Sequence, residues 1–114
     1  MGDRACVIFF DRDGVSPTVY LHGHGHAVPG WLDDLTLLMA GRPNDAAYAA
    51  ARFVGLCHTR IAGNLSLGVT SNDLTLLDIG NAERLAGLSP GNAGLAVVNT
   101  ADFTWRAYGG YLAD

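Results

Sequence analysis

Ala5-Cys6-Val7-Ile8-Phe9-Phe10, then Asp11-Arg12-Asp13-Gly14, then Val15 through His22, is the stretch whose reading decides the fold. A β-branched and aromatic run, a turn-forming Asp/Gly segment and a returning arm spell an antiparallel hairpin. Pro17 cannot donate to a ladder, which places an exposed edge near the start of the second arm. Outward from the hairpin come Ala27-Val28-Pro29-Gly30 and then Trp31 to Met39, where Trp31, Leu32, Leu35, Leu38 and Met39 recur at helical spacing. Asp33 and Asp34 suit the positive end of that helix's dipole in its first turn, and Gly41 with Pro43 ends it. A second helix is expected from an Asn44 cap through Ala46 to about His58, with Ala46, Ala49, Phe53, Leu56 and Cys57 facing inward.

The second half reads mainly as strands. Leu65, Leu67 and Val69 alternate with Ser66, Gly68 and Thr70, and Ser71-Asn72-Asp73 turns the chain. Leu74 to Ile79 follows neither period cleanly and reads as another strand at most. Asn81 is positioned to cap one helical turn through Arg84-Leu85-Ala86, with Gly87 behind it. Leu95 to Asn99 and Phe103 to Tyr108 make a closing hairpin, with Phe103, Trp105 and Ala107 on one face and Thr104, Arg106 and Tyr108 on the other. The expectation is an α+β domain over residues 1–114, an antiparallel sheet of four to five strands with two helices on one face, in the order ββααβ(β)ββ.

Composition bounds the function classes. The chain has 114 residues, 49% of them hydrophobic, enough for one core and too few for two. Every basic residue is arginine and the net charge is −4. Singly scattered arginines form no basic stripe, which argues against direct nucleic-acid binding and against an anionic membrane surface. The apolar run Ala5–Phe10 is too short for a signal peptide or membrane span. Cys6 stands where a myristoylation motif after Gly2 needs Ser or Thr. Cys6 and Cys57, far apart and among apolar neighbours, read as reduced, buried thiols of a cytoplasmic protein.

The residues with the most chemistry are His22, His24 and His26, alternating with Gly23 and Gly25. If the segment is extended, a period of two turns all three imidazoles to one face, where they would ligate zinc, with His58 or Asp33 and Asp34 completing the shell. The glycines also permit a curled segment in which the rings diverge and one histidine bonds locally. Glycines ahead of a helix expose N–H groups to an anion or small ligand, though no phosphate-loop fingerprint is present. His58-Thr59-Arg60 lacks the spacing of a second phosphodiesterase-type copy. Cys57 and His58 are neighbours on a helix, so their side chains diverge and form no nucleophile pair. Ser66, Ser71 and Ser89 lack a nucleophile elbow, and Asp11/Asp13 and Asp33/Asp34 suit a turn and a helix start. No catalytic set emerges.

Val19-Tyr20-Leu21-His22 before the Gly/His stretch, Arg42-Pro43-Asn44-Asp45 leading to Tyr48-Ala49-Ala50-Ala51-Arg52, Asn64 to Val69, and the closing Val97-Val98-Asn99 with Thr104-Trp105 together resemble small uncharacterised phage and prophage proteins. The resemblance rests on loose motifs spread over most of the chain. It implies an anti-defence role of the anti-CRISPR kind and a host bacterial protein as partner. Two functions follow from different classes. One is a non-enzymatic inhibitor that binds a host protein through Tyr20, Trp31, Arg106 and Tyr108, of which Trp31 and Tyr20 equally suit core closure. The other is a ligand- or zinc-binding protein, or a metal-dependent enzyme, built on His22, His24, His26 and His58. Replacing the three clustered histidines by alanine separates them. Apolar surplus and an exposed edge permit a homodimer without requiring one.

Overall fold

The computed structural model describes residues 2–61 and 66–114. Strand β1 (Ala5–Phe10) forms with β2 (Thr18–Leu21), β3 (Leu67–Thr70), β4 (Gly94–Asn99) and β5 (Thr104–Tyr108) one sheet in the order β3-β2-β1-β4-β5. Four α-helices, α1 (Val28–Leu38), α2 (Ala46–Arg60), α3 (Leu76–Ile79) and α4 (Ala82–Gly87), are found among the described residues. The class is α+β.

The sheet is mixed, where the sequence reading expected it to be antiparallel throughout. β1 runs parallel to β4 in the register Ala5↔Gly94 to Phe10↔Asn99, and every other pairing is antiparallel. The cause lies in composition. β1 and β4 are apolar on both faces rather than alternating, so each needs cover above and below, and a central place in the sheet between α1 and α2 on one face and α4 on the other provides it.

The two faces carry separate cores. On the first, Val7, Phe9, Val19, Leu21, Ala96 and Val98 pack against Trp31, Leu32 and Leu35 of α1 and Ala49, Phe53 and Cys57 of α2. Phe9 and Phe53, both fully buried, meet edge to face with ring centroids 5.7 Å apart, worth about 0.5–1.5 kcal/mol beyond the area they bury. On the second face, Ile8, Leu95 and Val97 surround Leu85 of α4, with Cys6, Phe10, Leu74, Ile79 and Tyr108 at the margin. Helices therefore lie on both faces of the sheet. The two longer ones share the expected face.

Several boundaries differ from the expectation. α1 begins at Val28 with Pro29 in its first turn, where a missing N–H is harmless, so Asp33 and Asp34 fall one turn later than expected. Leu38 is 56% exposed and belongs to no core, whereas Met39 is buried. The cap of α2 is Asp45, whose carboxylate accepts the Tyr48 N–H, while Asn44 takes a left-handed conformation at φ 59° just before it. Residues 74–79 supply no strand. Thr75 and Asp78 form a capping box, which turns Leu76–Ile79 into helix. Asn81 caps α4 through the Arg84 N–H, as its position suggested. Pro17 marks no edge strand, because β2 is paired on both sides and the sheet edges are β3 and β5. Leu65, expected in the third strand, and Asn64 lie outside the described residues.

Candidate binding surface

α4 is six residues long and covers only part of the second sheet face. Between it, α3 and the β4–β5 hairpin runs an open groove of about 560 Å³, lined by Phe10, Ile79, Val97, Trp105, Arg106 and Tyr108 among others. The register Val97↔Arg106 and Leu95↔Tyr108 puts Thr104, Arg106 and Tyr108 on this face. Arg106 is exposed and forms no ion pair among the described residues, although four carboxylates elsewhere pair with Arg42, Arg60 and Arg84. α3, which lends Ile79 to the groove, also carries Leu77, 90% exposed, and Leu76, half-exposed. The result is a mixed channel, apolar at Phe10, Ile79 and Val97 and polar at Asn99 and Thr104, with an Arg106 guanidinium that has no carboxylate partner among the described residues.

The other sequence-predicted anchors go elsewhere. Tyr20 pairs across from Cys6 and so shares the second face, but its ring lies over Gly68, where an added Cβ would collide with it. It lines a separate depression with Cys6, His22 and Pro90. Trp31 is 9% exposed and belongs to the core beneath α1 and α2. Its role as a surface anchor is thereby replaced by core closure.

The His/Gly segment is not extended. It closes into a single 3-10 turn at Gly25–Ala27, entered through His24 in the left-handed region at φ 69°. Gly25 fits there because an added Cβ would stand 2.7 Å from both the Asp3 carbonyl oxygen and the Ala93 Cβ. The three rings consequently separate in role. His22 is exposed and its backbone continues the β2–β3 ladder by donating to the Ser66 carbonyl at 2.8 Å. The His24 ring stacks on Trp31 at 6.0 Å between centroids, and its Nδ1 is buried without a hydrogen-bond partner among the described residues. His26 shares a hydrogen bond between its Nδ1 and Asp3 Oδ2 at 2.8 Å, and its backbone N–H donates to the same oxygen at 2.9 Å.

Asp3, a residue with no motif around it, is the hub of this corner. Besides His26, it accepts the Tyr111 hydroxyl on Oδ1 at 2.7 Å. The Tyr111 hydrogen bond, followed by those from His26, holds the Asp3 carboxyl below its ordinary range. Partial burial and the same carboxylate push the Tyr111 phenol up to about 12. Asp3 lies 23 positions from His26 and 108 from Tyr111, so no local pattern in the sequence marks it as their partner.

His58 sits exposed in the last turn of α2. No group of three or more His, Cys, Asp or Glu side chains placed to hold a metal occurs among the described residues. Asp34 bonds Arg60 at 3.0 Å, joining α1 to α2. Asp11 closes its own turn by accepting from Asp13 and Gly14. Ser89 donates its hydroxyl to the Gly109 carbonyl. Cys57 is buried, which pushes its thiol up to about 12, and Cys6 is raised by burial as well.

No family model, curated protein or solved structure matches this chain. No helix of the described residues is long and apolar enough to cross a membrane.

Proposed function

We propose that this chain is a non-enzymatic binding protein of the small phage type, which engages a bacterial host protein through the groove on the second sheet face and inhibits a defence system in the anti-CRISPR manner. The observation that supports it is Arg106, without an ion-pair partner among the described residues, beside Tyr108 in a groove also lined by Phe10, Ile79 and Val97, with the exposed Leu76 and Leu77 on α3. Such a patch on a small chain suits a protein interface, where aromatic and arginine anchors carry much of the energy. The resemblance to phage and prophage proteins supplies the class of partner. The test is a host interference assay with R106E and L77D, both at exposed positions. Inhibition lost in these variants but kept when His22, His24 and His26 are all replaced by alanine supports the proposal; the reverse pattern contradicts it.

A second reading has its own observation. The Asp3–His26 hydrogen bond leaves the other ring nitrogen of an exposed imidazole free, the arrangement by which carboxylates orient metal-bound histidines. With His24 beside it, 6.3 Å between ring centroids, this corner suits zinc or a small anionic ligand. Zinc retained in molar proportion by the wild type and lost in H26A favours this reading.

A further inference from the structure

We propose that β5 takes an extended segment of the partner protein as a sixth strand, with an aspartate or glutamate of that segment set against Arg106. The inference rests on the binder reading and specifies its occupant.

β5 is an edge. It pairs with β4 alone, through five consecutive partners from Asn99↔Thr104 to Leu95↔Tyr108. Its outer N–H and C=O groups therefore form a template that an extended chain can complete. Thr104-Trp105-Arg106-Ala107-Tyr108 holds neither proline nor lysine and shows no bulge in its register, and its one edge protection, the charge of Arg106, is one that a carboxylate on the added strand would neutralise. The 3-10 turn at Tyr111–Ala113 folds away from that edge, since the Tyr111 and Leu112 N–H groups bond the Asn92 and Ala93 carbonyls ahead of β4. β3, the opposite edge, is only four residues long and carries no charged side chain.

Side-chain parity selects the chemistry of the added strand. Alternate residues Thr104, Arg106 and Tyr108 face the groove, so alternate residues of a sixth strand would stand beside them, about 5 Å away for directly opposed positions. Arg106 has no carboxylate of its own among the described residues, and the groove around it is apolar at Phe10, Ile79 and Val97 and polar at Asn99 and Thr104. The fitting segment is thus acidic opposite Arg106 and apolar or aromatic at the groove-facing position beside Tyr108. A second copy of this chain fits poorly. Antiparallel pairing of β5 with itself would bring two Arg106 side chains opposite or diagonal to one another on one face, and like charges so placed oppose pairing.

The test selects a displayed library of random heptapeptides on the whole protein and measures the synthetic winners by calorimetry. The expected winners carry Asp or Glu two positions from an apolar or aromatic residue, shift the amide resonances of 104–108, and weaken about three- to fivefold on R106Q, the range an exposed ion pair supports. N-methylation of their backbone should abolish binding at alternate positions only, the signature of strand pairing that a purely side-chain contact lacks. Winners that tolerate N-methylation throughout overturn strand addition, and winners that bind R106Q equally well overturn the acidic pairing with Arg106, each leaving a groove binder intact. A selection that enriches nothing, or a β5-mediated dimer in sedimentation, also overturns it. Host inhibition that R106E and L77D leave unaffected is instead the failure of the binder reading.

Discussion

Asp11 Oδ2 accepts the backbone N–H of Ala46 at 2.7 Å, across 35 positions of sequence. One carboxylate thus closes the turn after β1 with its other oxygen and satisfies a free donor at the start of α2. It ties the central strand to the helix that covers it. Replacement by alanine leaves that donor and two turn N–H groups without their partner, so D11A should lose about 1–2 kcal/mol, the usual scale of a helix cap. Urea unfolding followed by circular dichroism measures it.

The same carboxylate makes stability depend on acid. Burial alone would raise its pKa, but the Ala46, Asp13 and Gly14 donors outweigh it and hold Asp11 below the ordinary value. A group depressed in the folded state contributes stability fully above its unfolded pKa, near 4, and loses it as pH falls through the folded value. The stability gap between wild type and D11N should therefore be wide at pH 7 and narrow below pH 3. A gap that is constant with pH would show that the ionised form contributes nothing.

The two cores should differ in what they tolerate. Phe53 is fully buried against Phe9, and F53A is expected to cost about 3–5 kcal/mol. On the second face I8V removes one methylene beside Leu85 and should cost about 0.5–1.5 kcal/mol. Chemical denaturation of both variants checks the order.

Cys57, with its thiol pushed up to about 12 by burial, should resist a disulfide reagent at pH 8 in the folded protein. Its reaction should follow the unfolding curve in urea. Prompt modification of both cysteines in the native state would contradict the burial.

What the sequence made legible follows from locality. The run Ala5–Phe10, the Thr104–Tyr108 hairpin arm and the Asn81 cap each declare themselves within a few residues. The parallel contact of β1 with β4 joins positions about ninety residues apart and leaves no local trace, except that both strands are apolar on both faces. That double-sided character also calls for the second helical layer, and the Thr75–Asp78 spacing signals its first turn. Of the candidate site, Arg106 and Tyr108 were legible as one face of a hairpin, whereas their union with Ile79 required the helix at 76–79. The His22–His26 alternation suggested one face, but the left-handed His24 and the Asp3 contacts curl it.

The most direct measurement places a photo-crosslinking amino acid at Leu77, on the helix that walls the groove, and in a second protein at Leu37 of α1, which is 78% exposed on the other layer. Irradiation in the bacterial host should yield a covalent adduct with a host protein from position 77, abolished by R106E, and none from position 37. An adduct from position 37 alone, or one from 77 that R106E leaves unchanged, would contradict the groove as the binding surface.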